Sequence, residues 1–307
     1  MKRLFNNTIV SSVDAFTLVA LNLVATPILI SHFGMAEYGV FVFLSIFSTY
    51  GLLSFFDLGM EGSLLNYVAR FEAKGDHESI QDSLTLSLLY YGLIGLALGT
   101  TMYFAADFII ARFTDDTGEL DRVRATMAAR IVSFNVFIQF LTLPFNAVLQ
   151  GLRRFVISKV TNTAVLIVQY VLVICVAIYT SRMDLAFVVI LGATTLRLLV
   201  LGIMVRYRLP YFRPMRFRIR MDLLKTLFSY SSILLISRII GIIFNQMDKF
   251  LIWLYLAASH MAIYDVVVRP ANLVRMLVTT MNSAIIPEVA RLHENDEIEQ
   301  IRTLYVN

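Results

Sequence analysis

Eight apolar runs, separated by short polar breaks, occupy residues 8–31, 38–56, 83–105, 126–150, 159–180, 184–205, 227–256 and 261–287. A helix needs roughly 20 such residues to cross the hydrocarbon core of a bilayer. The pattern therefore predicts an all-α polytopic membrane protein, a helical bundle. Some of the runs carry a polar stripe. From Asp265 the polar residues recur as Asp265, Arg269, Asn272, Arg275, Thr279 and Asn282, each three or four positions after the last, which puts them on one helix face. The seventh run carries Ser231, Arg238, Gly241, Asn245 and Asp248, with Lys249 adjoining. The fourth has Asn135, Gln139, Thr142, Asn146 and Gln150 around Pro144, which can kink a membrane helix. The first has Asp14, Asn22 and Thr26. Ionised groups at membrane depth are costly and normally line a protein interior or a wet cavity, so the stripes predict a bundle around a hydrophilic interior.

Composition agrees. The chain is 58% hydrophobic and 16% charged, where a soluble globule is about half apolar and about a quarter charged. The first run follows Lys2 and Arg3, is too long for a signal-peptide core and lacks a small-residue cleavage pattern, so it reads as a retained helix. The lone Cys175 excludes a disulfide framework and a Cys-based metal site.

Charge sets the expected orientation. With the N-terminus in the cytoplasm, the inner breaks hold Arg70 and Lys74, then Arg153, Arg154 and Lys159, then a dense set from Arg206 to Lys225. The outer breaks hold few cations, diluted by Asp107, Asp115, Asp116, Glu119 and Asp121. This is the positive-inside bias. The net charge of +4 therefore reports topology, and no nucleic-acid partner is expected. The basic segment 207–225, with Pro210 and Pro214, reads as a cytoplasmic linker between residues 1–206 and 226–307.

A short internal repeat straddles that linker. Met35, Ala36, Glu37 and Tyr38 are echoed by Met261, Ala262, Ile263 and Tyr264, and Val68, Ala69 and Arg70 by Val289, Ala290 and Arg291. A repeat that restarts after six helices enters the membrane in the same direction each time. The expected organisation is a six-helix N-terminal lobe followed by the first two helices of a parallel-repeat second lobe.

The run Pro27, His32, Phe33, Gly34, Met35, Ala36, Glu37, Tyr38 and Gly39, followed by Phe56, Asp57, Leu58 and Gly59, resembles the opening of Wzx-type O-antigen flippases. These are polysaccharide transporters of the multidrug, oligosaccharidyl-lipid and polysaccharide exporter superfamily. Leu149 to Phe155, and Asp248, Lys249 and Phe250 leading on to Tyr264, extend the resemblance. It implies two six-helix lobes around a cavity that opens alternately to either side of the bacterial cytoplasmic membrane. The implied substrate is an oligosaccharide linked through pyrophosphate to a polyprenyl lipid, flipped from the inner to the outer leaflet. Membrane lipids, a polysaccharide polymerase and chain-length machinery are the implied partners. The polar stretch His293 to Gln300 reads as the inner loop before a ninth helix, so the native chain is expected to continue past Asn307.

More guanidinium than carboxylate in the interior suits a pyrophosphate, because Arg offers planar forked donors and stays ionised when partly desolvated. Arg238, Arg269, Arg275 and Arg197 are the expected diphosphate ligands; an Asp265–Arg269 pair one helical turn apart is the duller alternative. Asn135, Gln139, Asn146, Asn245, Asn272 and Asn22 would line the cavity and solvate sugar hydroxyls. No cofactor is expected beyond coupling to a proton or sodium gradient, through Asp57, Glu61, Asp248 or Asp14; for Asp57 and Glu61, flanked by Gly59 and Gly62, a hinge is an equal reading. A multidrug exporter of the same superfamily would favour acidic and aromatic linings. A membrane-embedded glycosyltransferase or polymerase would need a carboxylate base near its sugar. No Gly-rich phosphate loop, His-Glu metal pair or triad is present, so an enzyme is not expected.

Overall fold

A computed structural model describes residues 2–48, 56–113, 120–209, 240–241, 244, 247–272 and 274–275, with side chains described from residue 16 onward, Ser48 excepted. Seven helices follow in order: α1 (Lys2–Phe33), α2 (Met35–Ser48), α3 (Met60–Lys74), α4 (His77–Ala111), α5 (Arg122–Gly151), α6 (Phe155–Thr180) and α7 (Met183–Arg208). Residues 247–255 and 258–272 are also helical. Among the described residues, five segments are long and apolar enough to cross a membrane: Phe16–Phe33 within α1, and the whole of α4, α5, α6 and α7. The described residues are all-helical, as the apolar pattern predicts. Residues 210–225 of the expected linker and most of the seventh run lie outside them, and α7 takes in the linker's first two residues, Tyr207 and Arg208.

The most buried of these helices is α5, which packs on α2, α3, α4, α6 and α7. Its contact with α4 is close because two α4 positions carry no side chain. A methyl on Gly99 would lie 2.8 Å from the Ser133 carbonyl oxygen, and one on Gly95 3.0 Å from Phe140 Cβ. Small residues that let backbones approach are the usual means by which helices associate in lipid, where the solvent is as apolar as the interface. On the far side α6 packs on α1 and α7, and Val160, Val168, Val171 and Ile178 on it are exposed, as a lipid-facing helix requires.

One helix was not visible as an apolar run. Residues 57–82 read as a polar break, yet α3 fills most of it. It is amphipathic, burying Met60, Ser63, Leu64 and Val68 against α4 and α5. Its ends carry legible punctuation. Gly75 closes it at φ 69°, the left-handed conformation that glycine adopts at no steric cost. Asp76 then caps α4 by accepting the Ser79 N–H at 3.0 Å. At the other end the chain breaks at Leu58 (φ 49°) and Gly59 (φ 77°). The described part of α2 has 14 residues, about 21 Å of helix.

Residues 247–272 are pinned to this body. The Trp253 indole donates to the Ile109 carbonyl at 3.1 Å and stacks on Phe43 at 5.3 Å, while Phe113 meets Phe43 edge-on. Farther on, Gly39 of α2 lies so near Ala258 that a methyl at Gly39 would overlap the Ala258 carbonyl.

Candidate functional site

Where α1, α2 and α6 meet residues 249–269 there is a cavity of about 260 Å³. Its polar lining comes from Asn22, Thr26, Tyr38, Ser45, Gln169, Tyr170, Lys249, Asp265 and Arg269, set among Leu, Ile, Val, Ala and Phe side chains. Helical spacing accounts for the placement. Asn22 and Thr26, one turn apart, share an α1 face, and so do Asp265 and Arg269 on the later helix.

Arg269 is held on all three nitrogens. Its Nε and Nη2 donate to Asp265 Oδ2 at 3.0 and 2.5 Å, Nη1 donates to the Asn22 carbonyl at 2.8 Å, and Nη2 also donates to the Tyr38 hydroxyl at 2.9 Å. The Tyr38 hydroxyl in turn donates to Asp265 Oδ2 at 3.0 Å and lies 3.4 Å from Thr26 Oγ1. Lys249 Nζ approaches the other carboxylate oxygen of Asp265 at 3.6 Å. The Asn22 carbonyl also accepts the Thr26 hydroxyl at 2.7 Å, immediately before Pro27, and the Asn22 side-chain oxygen accepts the Tyr170 hydroxyl at 3.0 Å.

Lys249, Asp265 and Arg269 are the charged residues of the lining. Among the described residues, two cations therefore face one carboxylate, a formal balance of one positive unit. Partial burial makes that charge count. The Arg269 and Asp265 side chains are 18% and 14% exposed, and screening is weaker there than at a wet surface.

The remaining predicted residues lie elsewhere. Asn272 lines a second recess that shares Asn22, Asp265 and Arg269 with the cavity and adds Leu23. Arg275, expected as a phosphate ligand, is exposed, stacks on the Phe244 ring at 4.7 Å and is not in the cavity lining. Arg197 reaches the Thr142 hydroxyl at 3.5 Å across the α5–α7 contact and is likewise not in the lining. Asn135, Gln139 and Asn146 are buried on α5, and Asn146 Oδ1 accepts from Ser158 and Asn162 of α6 at 3.0 and 3.2 Å. All three lie inside the bundle and none lines this cavity. Asp57 is buried at the break before α3, where it accepts the Glu61 N–H at 3.0 Å and the Tyr91 hydroxyl. Asp248 accepts the Tyr264 hydroxyl at 2.5 Å. Arg238, Asn245 and the side chain of Asp14 lie outside the described residues. Among the described residues no three His, Cys, Asp or Glu side chains gather as a metal site.

Four contributors, Tyr38, Ser45, Gln169 and Tyr170, escaped the sequence reading. Gln169 and Tyr170 are the polar residues of the apolar stretch 164–175, a signal as plain as the stripe on the first run. Tyr38 stood within the family-like motif without a role assigned to it.

Solved structures share this architecture. A crystal structure of MATE in complex with MaD3S is similar at TM-score 0.60 and 19% identity, covering 99% of this chain and 68% of that one. A second MATE structure, in complex with MaL6, is similar at TM-score 0.55 and 20% identity, covering 77% of this chain and 53% of that one. A MOP superfamily transporter from Pyrococcus furiosus, described as having a binding pocket of reverse polarity that suggests a different function, is similar at TM-score 0.53 and 19% identity, covering 92% and 68%. The chain thus spans between about half and two thirds of the length of these neighbours. Among curated proteins none matches it significantly.

The fold is similar to that of these MATE and MOP superfamily structures. The chain itself belongs to the polysaccharide biosynthesis protein family, whose model matches residues 4–293.

Proposed function

We propose that the protein is a flippase that moves a polyprenyl-pyrophosphate-linked oligosaccharide from the inner to the outer leaflet of a bacterial cytoplasmic membrane by alternating access. The observation that carries this reading is the positive balance of the cavity, Lys249 and Arg269 against Asp265, beside neutral hydroxyl and amide groups at Tyr38, Thr26, Asn22, Gln169 and Tyr170. Guanidinium and ammonium groups suit a diphosphate, and neutral donors and acceptors suit sugar hydroxyls. A cavity of about 260 Å³ has room for the diphosphate and the sugar next to it, and leaves a long polyprenyl chain in lipid. The family to which the chain belongs supports a glycan substrate. A drug exporter that attracts cations would want the opposite charge balance, and the neighbour with a pocket of reverse polarity is a precedent for such a change on this fold. The basic breaks near Arg70, Arg153 and Arg206 support a cytoplasmic N-terminus. Coupling to a proton or sodium gradient is part of the proposal, because the inward and outward states must differ in affinity for the headgroup.

The test is Arg269→Ala in cells that depend on this protein for surface glycan. Display should fall at least about tenfold at unchanged membrane abundance, the consequence of losing a charge-assisted phosphate contact. Unchanged display refutes the reading, and a change in resistance to cationic drugs in its place favours the exporter.

A further inference from the structure

Arg269 cannot offer its donor fork to a diphosphate as it stands, since four of its five N–H donors are already engaged and the Nε–Nη2 edge is taken by Asp265. Those partners differ in kind. The Asn22 carbonyl and the Tyr38 hydroxyl are neutral, whereas Asp265 supplies an anion at the position that a phosphate oxygen would take. Asp265 in turn has a second cation in reserve, Lys249, which at 3.6 Å from the opposite carboxylate oxygen is near enough for attraction but longer than a good hydrogen bond. We propose that Asp265 is a built-in stand-in for the substrate anion and that loading of the cavity is an exchange. The guanidinium of Arg269 passes from Asp265 to a diphosphate, and Lys249 closes onto Asp265 to keep that carboxylate compensated.

The exchange solves a physical problem of the resting state. A half-buried guanidinium with no anion would carry an uncompensated desolvation cost. A guanidinium with a permanent, isolated partner would bind nothing. Two cations sharing one carboxylate allow the pairing to move without leaving any charge alone. Tyr38 is placed to bridge both arrangements, because its hydroxyl already touches Asp265 and Arg269 together. Lys249 is then a positioning residue, acting on the diphosphate through Asp265. The inference rests on the anion-transport reading above and gives it a mechanism of loading.

The experiment measures binding of inorganic pyrophosphate to the whole chain in nanodiscs of zwitterionic lipid, with thermal unfolding of each variant as the folding control. Asp265→Asn keeps the shape and removes the competing anion, so pyrophosphate should bind about tenfold more tightly, the release of one charge-assisted bond; Asp265→Ser serves if the amide fails to fold. Arg269→Ala should abolish binding in either background. Lys249→Gln should weaken binding about tenfold alone, because Asp265 then keeps Arg269, yet change it less than about twofold in the Asp265→Asn background, where nothing remains to compensate. If Lys249→Gln weakens both backgrounds equally, Lys249 touches the phosphate directly and the exchange is overturned. If binding needs Arg269 but Asp265→Asn leaves it unchanged, the stand-in role fails while the anion reading survives. If pyrophosphate binds no variant, both fail. Repeating the Asp265→Asn measurement in discs containing phosphatidylglycerol separates two sources of the same chemistry. Competition there assigns the exchanged anion to a phospholipid headgroup, and its absence assigns it to a diphosphate-linked substrate.

Discussion

Tyr38→Phe removes a single oxygen from the centre of the Asp265–Arg269 network and leaves the ring in place. Tyr38 is 1% exposed, and its hydroxyl serves Asp265 at 3.0 Å and Arg269 at 2.9 Å. An average interhelical hydrogen bond in a membrane protein contributes about 0.6 kcal/mol by double-mutant cycle, and a bond to an ionised partner is roughly twice as strong. Two such bonds put the expected loss near ~2 kcal/mol. Ring packing changes little, because deletion of one hydroxyl leaves less than a methyl-sized gap. The loss is therefore electrostatic, and it should disappear when the charges go. Equilibrium unfolding in mixed micelles would be measured for the parent, Tyr38→Phe, Asp265→Asn and the double variant. A coupling energy of about 1 kcal/mol or more between the two sites is expected, since groups in one network do not add. Strict additivity would refute the network, showing that the Tyr38 hydroxyl is stabilised by something other than these charges.

Further outcomes follow from the packing. Gly39→Val should lower the folded yield more than Gly192→Val, because a side chain at Gly39 meets the Ala258 carbonyl while nothing lies within 4 Å of one at Gly192; detergent-extracted monodisperse protein is the readout. Gly99→Leu should force α4 from α5 at the Ser133 carbonyl and cost about 1–3 kcal/mol of stability, as overpacking does, with Gly92→Ala as the mild control. Asp57→Ala should cost about 2 kcal/mol through the lost Glu61 N–H and Tyr91 bonds, and should raise amide exchange at the start of α3, with Asp57→Asn intermediate.

The spanning helices were legible because lipid imposes a length and a polarity that composition cannot hide. Runs such as 159–180 and 184–205 fall within α6 and α7 almost residue for residue. Helix α3 was missed because it is amphipathic and buries only one face, so a hydropathy threshold passes over it; the Gly75–Asp76 punctuation would have found it. At the site, periodicity correctly put Asp265 and Arg269 on one face but could not say whether the arginine faced a vacant cavity or its own neighbour. The intrahelical pair is what the structure holds. The α5 stripe was equally periodic, yet its Asn146 bonds to α6 and its Thr142 meets Arg197 of α7. A polar stripe says that a helix face avoids lipid and leaves open whether water, substrate or another helix receives it. The partnership of Asn22 with Tyr170, 148 positions apart, has no local signature at all.

The meeting of Gly39 with Ala258 constrains how these helices can travel. Main chain rests on main chain there, with no rotamer between them to lengthen or fold away. Sliding the later helix past α2 would jam, and lifting it off would open a void, whereas tilting about that point disturbs least. The contact sits one residue from Tyr38, so any tilt there would be felt at the hydroxyl that holds Arg269.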